Sequence, residues 1–248
     1  MPDDAALAAR LNRLGLQCKA AGQYDEGRAH YERALASLAD GPESDLDSVA
    51  TIYHNLGGIE HARGDYAAAE SFARRGVAIR ARAGSADPGD LAADLSALAA
   101  ILDGQGRYDE AEGLYLEALR TFRLDPLARA WDIAVTLGNL GAQYAARGRL
   151  REAAVLLRRA VSLKSRALGA DHPDVAVALN NLAVTLRRSG DHVRAGETYR
   201  QATDLLERTV GGDHPWTVTC RANAMRGRDP YFESPPPSPT LPLAHPAP

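Results

Sequence analysis

A strict period of 42 residues constrains this chain more than any other feature. A glycine recurs once per period with no insertion or deletion, and in the first three copies it begins a Gly-x-Tyr sequence. The five glycines are Gly22, Gly64, Gly106, Gly148 and Gly190. Self-similarity at a fixed period of this length is typical of stacked repeats, in which each unit packs mainly on its neighbours. The sequence therefore predicts a stacked array of five repeated units.

Two apolar patterns in each period predict two helices per unit. The first helix carries a leucine column and, one residue later, a column of glycine or alanine. The leucines are Leu14, Leu56, Leu98, Leu140 and Leu182, and the small residues are Gly15, Gly57, Ala99, Gly141 and Ala183. A small residue lets the second helix of the pair approach closely. The glycine of Gly-x-Tyr then ends the first helix in a conformation that costs other residues more.

Prolines support the same division of the chain, because one falls in every junction between repeats. These are Pro42, Pro88, Pro126, Pro173 and Pro215. The predicted repeats span about 5–44, 46–86, 90–128, 131–170 and 174–212, and a capping helix over 216–226 completes an array covering 1–226. Eight prolines crowd into the last 22 residues. Such a composition cannot bury a core, so we predict a disordered Pro-rich tail over 227–248.

Composition excludes several classes of function. The formal net charge is -3, which provides no global basic field for nucleic acid. No apolar run is long enough for a transmembrane helix, and the acidic N-terminus lacks the features of a secretory signal. We therefore expect a cytoplasmic protein in which Cys18 and Cys220 are reduced thiols. The Ala- and Arg-rich composition suggests a GC-rich bacterial source.

The columns resemble the tetratricopeptide repeat, a helix-turn-helix unit that is usually 34 residues long. This resemblance implies an all-α fold: a right-handed α-solenoid of about five helix-turn-helix units followed by a C-terminal capping helix. The 42-residue length and the sequences beginning at Tyr108 (YDEAEGLYLEAL) and Ala167 (ALGADHPDVAVALNNLA) are similar to the kinesin-light-chain type of that repeat. HEAT and armadillo arrays also reach periods near 42 but lack the Gly-x-Tyr pattern. Nothing beyond the repeats resembles the motor-associated parts of a kinesin light chain.

The resemblance implies that the first helices line a concave groove in which an asparagine column holds the backbone of an extended peptide. The corresponding positions here are Arg13, Asn55, Ala97, Asn139, Asn181 and Asn223. A carboxamide both donates and accepts hydrogen bonds, so it can pair with main chain whatever the peptide's side chains are. The alternative is that these asparagines cap backbone or bridge adjacent helices. The related clamp for a C-terminal carboxylate is not matched, because its lysine and arginine positions hold Asn12, Ala93 and Ala97.

Neighbouring positions suggest which peptide the groove takes. The adjacent column holds Asn12, His54, Ser96, Gly138 and Asn180, so the middle of the groove is small and nearly neutral. The ends are more basic, with Arg13, Lys19 and His61 at one end and Arg187, Arg188 and Arg226 at the other. An extended peptide with an apolar centre and acidic flanks would fit. Arginine runs are also common on solvent-exposed helix faces, so the alternative is that these basic residues are simply exposed and bind nothing.

No pattern in the chain indicates catalysis, a metal site or a cofactor. His172 and His214 belong to an Asp-His-Pro sequence repeated at 42 residues and are explained by the repeat junction. The sequence thus predicts a non-enzymatic adaptor that binds an extended segment of a partner protein. The candidate groove residues are Asn12, Arg13, His54, Asn55, Asn139, Asn180, Asn181, Arg187 and Asn223. A peptide-sensing module that acts through a separate effector protein is the alternative function, and self-association through an exposed end of the array remains open.

Overall fold

The computed structural model describes residues 2–39, 46–84 and 87–226. Within these ranges the chain forms eleven α-helices and no strand. This confirms the predicted all-α fold. None of the described helices is long and apolar enough to cross a membrane. The predicted disordered tail over 227–248 lies outside the described residues.

The helices follow one another in pairs. They are α1 (Pro2–Ala20), α2 (Tyr24–Leu38), α3 (Leu46–Arg63), α4 (Tyr66–Ala83), α5 (Pro88–Gly104), α6 (Tyr108–Phe122), α7 (Ala130–Ala146), α8 (Leu150–Leu168), α9 (Pro173–Arg188), α10 (His192–Thr209) and α11 (Pro215–Arg226). The chain divides into two compact units at Leu124. Unit 1 contains the three pairs from α1 to α6, and unit 2 contains two pairs, α7 to α10, followed by α11.

The turn inside each pair depends on the periodic glycine. Gly22 has a φ of +75°, and the other four glycines of the column have φ between 78° and 86°. This left-handed conformation is readily adopted only by residues without a Cβ. The second helix begins two residues later in all five pairs. The prediction that this glycine ends the first helix is therefore confirmed.

The small column of the first helices is where the second helix packs. A Cβ on Gly141 would lie 2.8 Å from Cγ of Leu157 in α8, and one on Gly15 would collide with the ring of Tyr31 in α2. Both facing side chains are almost completely buried. A larger residue in the column would push the paired helices apart, which confirms the packing role predicted for it.

The repeated Asp-His-Pro sequence builds helix starts. Pro173 and Pro215 are the first residues of α9 and α11, where a missing N–H costs nothing. Nδ1 of His172 accepts a hydrogen bond of 3.2 Å from the backbone N–H of Asp174. His214 accepts an equivalent 3.2 Å bond from the backbone N–H of Trp216. Each imidazole thus acts as an N-cap, which gives the junction motif a structural role.

Candidate functional site

Within each unit the first helices of successive pairs contact one another: α1, α3 and α5 in unit 1, and α7, α9 and α11 in unit 2. We call the surface that these helices form in each unit its first-helix face. All nine predicted groove residues lie on these helices. Asn12, Arg13, His54 and Asn55 belong to unit 1, and Asn139, Asn180, Asn181, Arg187 and Asn223 belong to unit 2.

Four of the asparagines form two pairs that bridge neighbouring first helices. Nδ2 of Asn55 donates to Oδ1 of Asn12 over 2.8 Å, and Nδ2 of Asn223 donates to Oδ1 of Asn180 over 3.2 Å. Asn55, Asn180 and Asn223 are buried, and Asn12 is partly buried. In both pairs the partners are 43 residues apart. The two side chains of each pair hydrogen-bond to each other across the helix interface, which matches the bridging role that the sequence left open for this column.

Asn181 has no such partner. The residue 43 positions before it is Gly138, which has no side chain to offer. Asn181 is partly exposed, and among the described residues nothing hydrogen-bonds to its carboxamide, although its backbone carbonyl accepts from the Thr185 hydroxyl over 2.9 Å. Asn139 on α7 is also partly exposed, with no hydrogen bond to its carboxamide in the described ranges. The first-helix face of unit 2 therefore presents two carboxamides with free donors and acceptors.

His54 takes part in a buried charge network. Its Nδ1 lies 2.8 Å from one carboxylate oxygen of Asp94 on α5, and the other oxygen accepts from Nε of Arg80 over 2.5 Å. The Arg80 guanidinium also donates to Thr51 over 3.1 Å and lies 3.3 Å from the Asp47 carboxylate. The network connects α3, α4 and α5, and its contact with Asp94 orients the His54 ring.

The two predicted arginines differ in their surroundings. Arg187 donates to the backbone carbonyl of Asn223 over 2.6 Å, and its guanidinium lies 5.6 Å from the Tyr199 ring centroid. It therefore fastens α9 to α10 and α11. Arg13 is exposed on α1.

Lys164 is a buried cation that the sequence analysis did not identify. Its side chain is 1% exposed, and Nζ has no hydrogen-bond partner among the described residues. The ammonium lies 5.1 Å from the Trp131 ring. Burial lowers the pKa of Lys164 to about 8, although the Asp174 carboxylate opposes the shift. The available signal was the 42-residue column, which otherwise holds Leu38, Arg80, Phe122 and Leu206.

Metal ligands are not clustered in the described ranges. No group of three or more His, Cys, Asp or Glu side chains there is placed to hold a metal ion. Cys18 and Cys220 are both free thiols.

The fold and these columns define a helical repeat solenoid, and the sequence profile of the tetratricopeptide repeat family matches residues 6–82, 48–123, 132–208 and 175–224. The chain belongs to the tetratricopeptide repeat family. No curated protein sequence matches it. Arrays of this family use extended surfaces to bind other proteins.

Solved structures are similar in fold. BtubC (BKLC) from P. vanneervenii is 24% identical with a TM-score of 0.69, covering 86% of this chain and 84% of its own. A putative kinesin light chain from Podospora anserina with nearly identical repeats is 22% identical with a TM-score of 0.60, covering 84% and 99%. These similarities support the kinesin-light-chain resemblance of the repeats.

A third similar structure contains a ligand. The Rap conjugation gene regulator of the plasmid pLS20, in complex with the Phr* peptide, is 18% identical with a TM-score of 0.68. The match covers 84% of this chain and 55% of that one. At this level of identity the comparison establishes a shared fold.

Proposed function

We propose that this chain is a non-enzymatic, cytoplasmic adaptor that binds an extended segment of a partner protein on the first-helix face of unit 2. Asn139 and Asn181 hold the main chain of that segment. Each carboxamide pairs with a peptide C=O and N–H, so binding depends little on the residues of the ligand. Recognition by main chain suits an adaptor, and neighbouring side chains then select the partner.

The observation that supports this proposal is that some of the asparagine side chains are hydrogen-bonded to each other and others are not. Asn55 and Asn223 are buried and paired, whereas the position 43 residues before Asn181 is Gly138 and no described residue hydrogen-bonds to the Asn181 carboxamide. A partly buried amide without a partner loses hydrogen bonds to water and gains none, so a ligand that supplies them is favoured. The Phr* peptide complex of the Rap regulator shows that a protein of this fold can take a peptide ligand.

The test is peptide selection with the intact chain, followed by affinity measurements. A random peptide library displayed on phage is selected on the wild-type protein, and the dissociation constants of the selected peptides are measured by fluorescence anisotropy. The double variant Asn139→Ala/Asn181→Ala should bind them at least tenfold more weakly. Each lost hydrogen bond costs about 0.5–1.5 kcal/mol, and about 1.4 kcal/mol is a factor of ten. Unchanged affinity, or no selected peptide at all, would contradict the proposal.

Two further variants separate binding from stability. Asn180→Ala removes a paired asparagine one residue away, so it should lower stability more than affinity. Gly138→Asn supplies the missing partner for Asn181. A Cβ there would meet only Ala160, at 4.0 Å, so the site has room for a side chain. Pairing should occupy the Asn181 carboxamide, and we expect weaker peptide binding with undiminished helical content.

A further inference from the structure

Lysine is rare in this chain. Of 29 Lys and Arg residues only Lys19 and Lys164 are lysines. Both have a pKa lowered by burial. Lys164 is enclosed, but Lys19 is partly exposed in the last turn of α1, on the first-helix face of unit 1.

The Lys19 ammonium lies on the backbone of the neighbouring first helix. A Cβ built on Gly58 of α3 would be 2.5 Å from its Nζ, so the ammonium occupies space that a side chain at this position would take. His61 lies one turn further along α3. Its ring lies near the backbone of Ala100 on α5 and packs edge-on against Tyr66, with centroids 5.5 Å apart. Lys19 and His61 therefore line one stretch of the face, across α1, α3 and α5.

This stretch is electropositive and lacks a counter-charge. Among the described residues Lys19 has neither a hydrogen-bond acceptor nor a carboxylate within ion-pair distance. Burial and the charge of Lys19 both lower the pKa of His61. Other cations of unit 1 do find carboxylates: Arg28 lies 2.9 Å from Glu60, and Arg80 lies 2.5 Å from Asp94. A desolvated ammonium without an anion is unfavourable, and an incoming anion would relieve that cost.

We propose that Lys19, lying over Gly58 and flanked by His61, forms a subsite for one carboxylate of a bound partner. The partner is thus an acidic peptide segment. The carboxylate belongs either to a Glu or Asp side chain or to the C-terminus of the segment. Only the peptide nature of the ligand rests on the proposed function. The subsite lies in unit 1 and Asn139 and Asn181 lie in unit 2, so either assignment can fail alone.

The first experiment uses acetate as the probe and needs no peptide. Biosynthetic labelling with ¹³C-lysine gives only two ε-carbon signals, so each ammonium can be followed by NMR. Acetate should shift the Lys19 signal saturably and raise the pKa of that ammonium, while the signal of the enclosed Lys164 stays constant. Chloride at equal ionic strength is the control. An acetate response no larger than the chloride response would overturn the subsite.

The second experiment identifies the source of the carboxylate. Peptides selected on the wild-type chain are compared with Glu→Gln or Asp→Asn versions and with C-terminal amides. Removing the carboxylate should weaken binding to the wild-type protein by about tenfold or more, which is a typical coupling for a close, partly desolvated charge pair. It should cost little with Lys19→Met. Arg10→Met removes the same charge from an exposed position of α1 and should behave as wild type.

The pattern of losses decides between the outcomes. Sensitivity to Glu→Gln or Asp→Asn indicates a side-chain carboxylate, and sensitivity to amidation indicates the C-terminus. An equal loss in the wild-type and Lys19→Met proteins would overturn the assignment to Lys19. Acetate binding at Lys19 without any selected peptide would leave the anion subsite standing but refute the peptide proposal.

Discussion

Arg80 in unit 1 and Lys164 in unit 2 occupy the same position of the repeat, two periods apart. Both side chains are buried, near the end of a second helix. The other members of this column are Leu38, Phe122 and Leu206, and all three are buried apolar residues. The same core position thus receives either a hydrocarbon or a cation, and the two cations are stabilised in different ways.

Arg80 is neutralised by carboxylates. Asp94 holds its Nε at 2.5 Å, and Asp47 lies 3.3 Å from the guanidinium. In unit 2, Ala178 replaces Asp94 and Trp131 replaces Asp47, both two periods on, so Lys164 meets an aromatic ring and no close acceptor. The repeat therefore provides a buried position but no conserved partner for a charge placed there. Carboxylates neutralise Arg80, whereas Lys164 has only an aromatic ring close by.

The largest expected effect is that of removing the compensated cation. Arg80→Met leaves Asp94, which is 4% exposed, without its closest cation. Breaking a buried ion pair from one side costs about 3–5 kcal/mol. Chemical denaturation should show this loss, with faster amide hydrogen exchange in α3, α4 and α5. Leu38→Met is the control at the same repeat position and should cost less than about 1.5 kcal/mol. Equal losses for the two variants would mean that the network adds no stability.

The same change at Lys164 should have the opposite sign. The pKa of Lys164 falls from 10.5 to about 8, which corresponds to a cost on the order of 3 kcal/mol for keeping the ammonium charged in the fold. Lys164→Met removes that cost and forfeits a cation–π contact worth about 0.5–2 kcal/mol. We expect a net gain of about 1–3 kcal/mol. Trp131 and Trp216 are the only tryptophans and both lie in unit 2, so their fluorescence reports its unfolding directly. A loss of stability would show that the Trp131 contact outweighs desolvation.

The periodic parts of this comparison could be predicted from the sequence, and the pairings could not. The glycine and small columns have one role in every copy, so five copies reinforce one inference. The burial of Arg80 and Lys164 could also be predicted, because the other residues at this repeat position are Leu and Phe. The partners of these two cations could not be predicted, since the position of Asp94 holds Thr136 one period on and Ala178 two periods on, with no acidic residue at either. The asparagine pairs show the same limit: the column was visible, but the 43-residue offset that pairs Asn223 with Asn180 required the structure.

The smallest expected effect is a pH dependence that only one of the two cations shows. Between pH 8 and 10.5 the unfolded chain keeps the Lys164 proton that the folded chain has lost. The free energy of unfolding therefore gains up to about 1.4 kcal/mol per pH unit from this group, and the advantage of Lys164→Met shrinks as pH rises. Other groups titrate alike in both proteins and cancel in the difference.

Arg80→Met should differ from wild type by a constant amount between pH 7 and 10, because a guanidinium stays charged throughout. Denaturation series across this range test both statements. A constant difference for Lys164→Met would show that its ammonium does not lose its proton inside the fold.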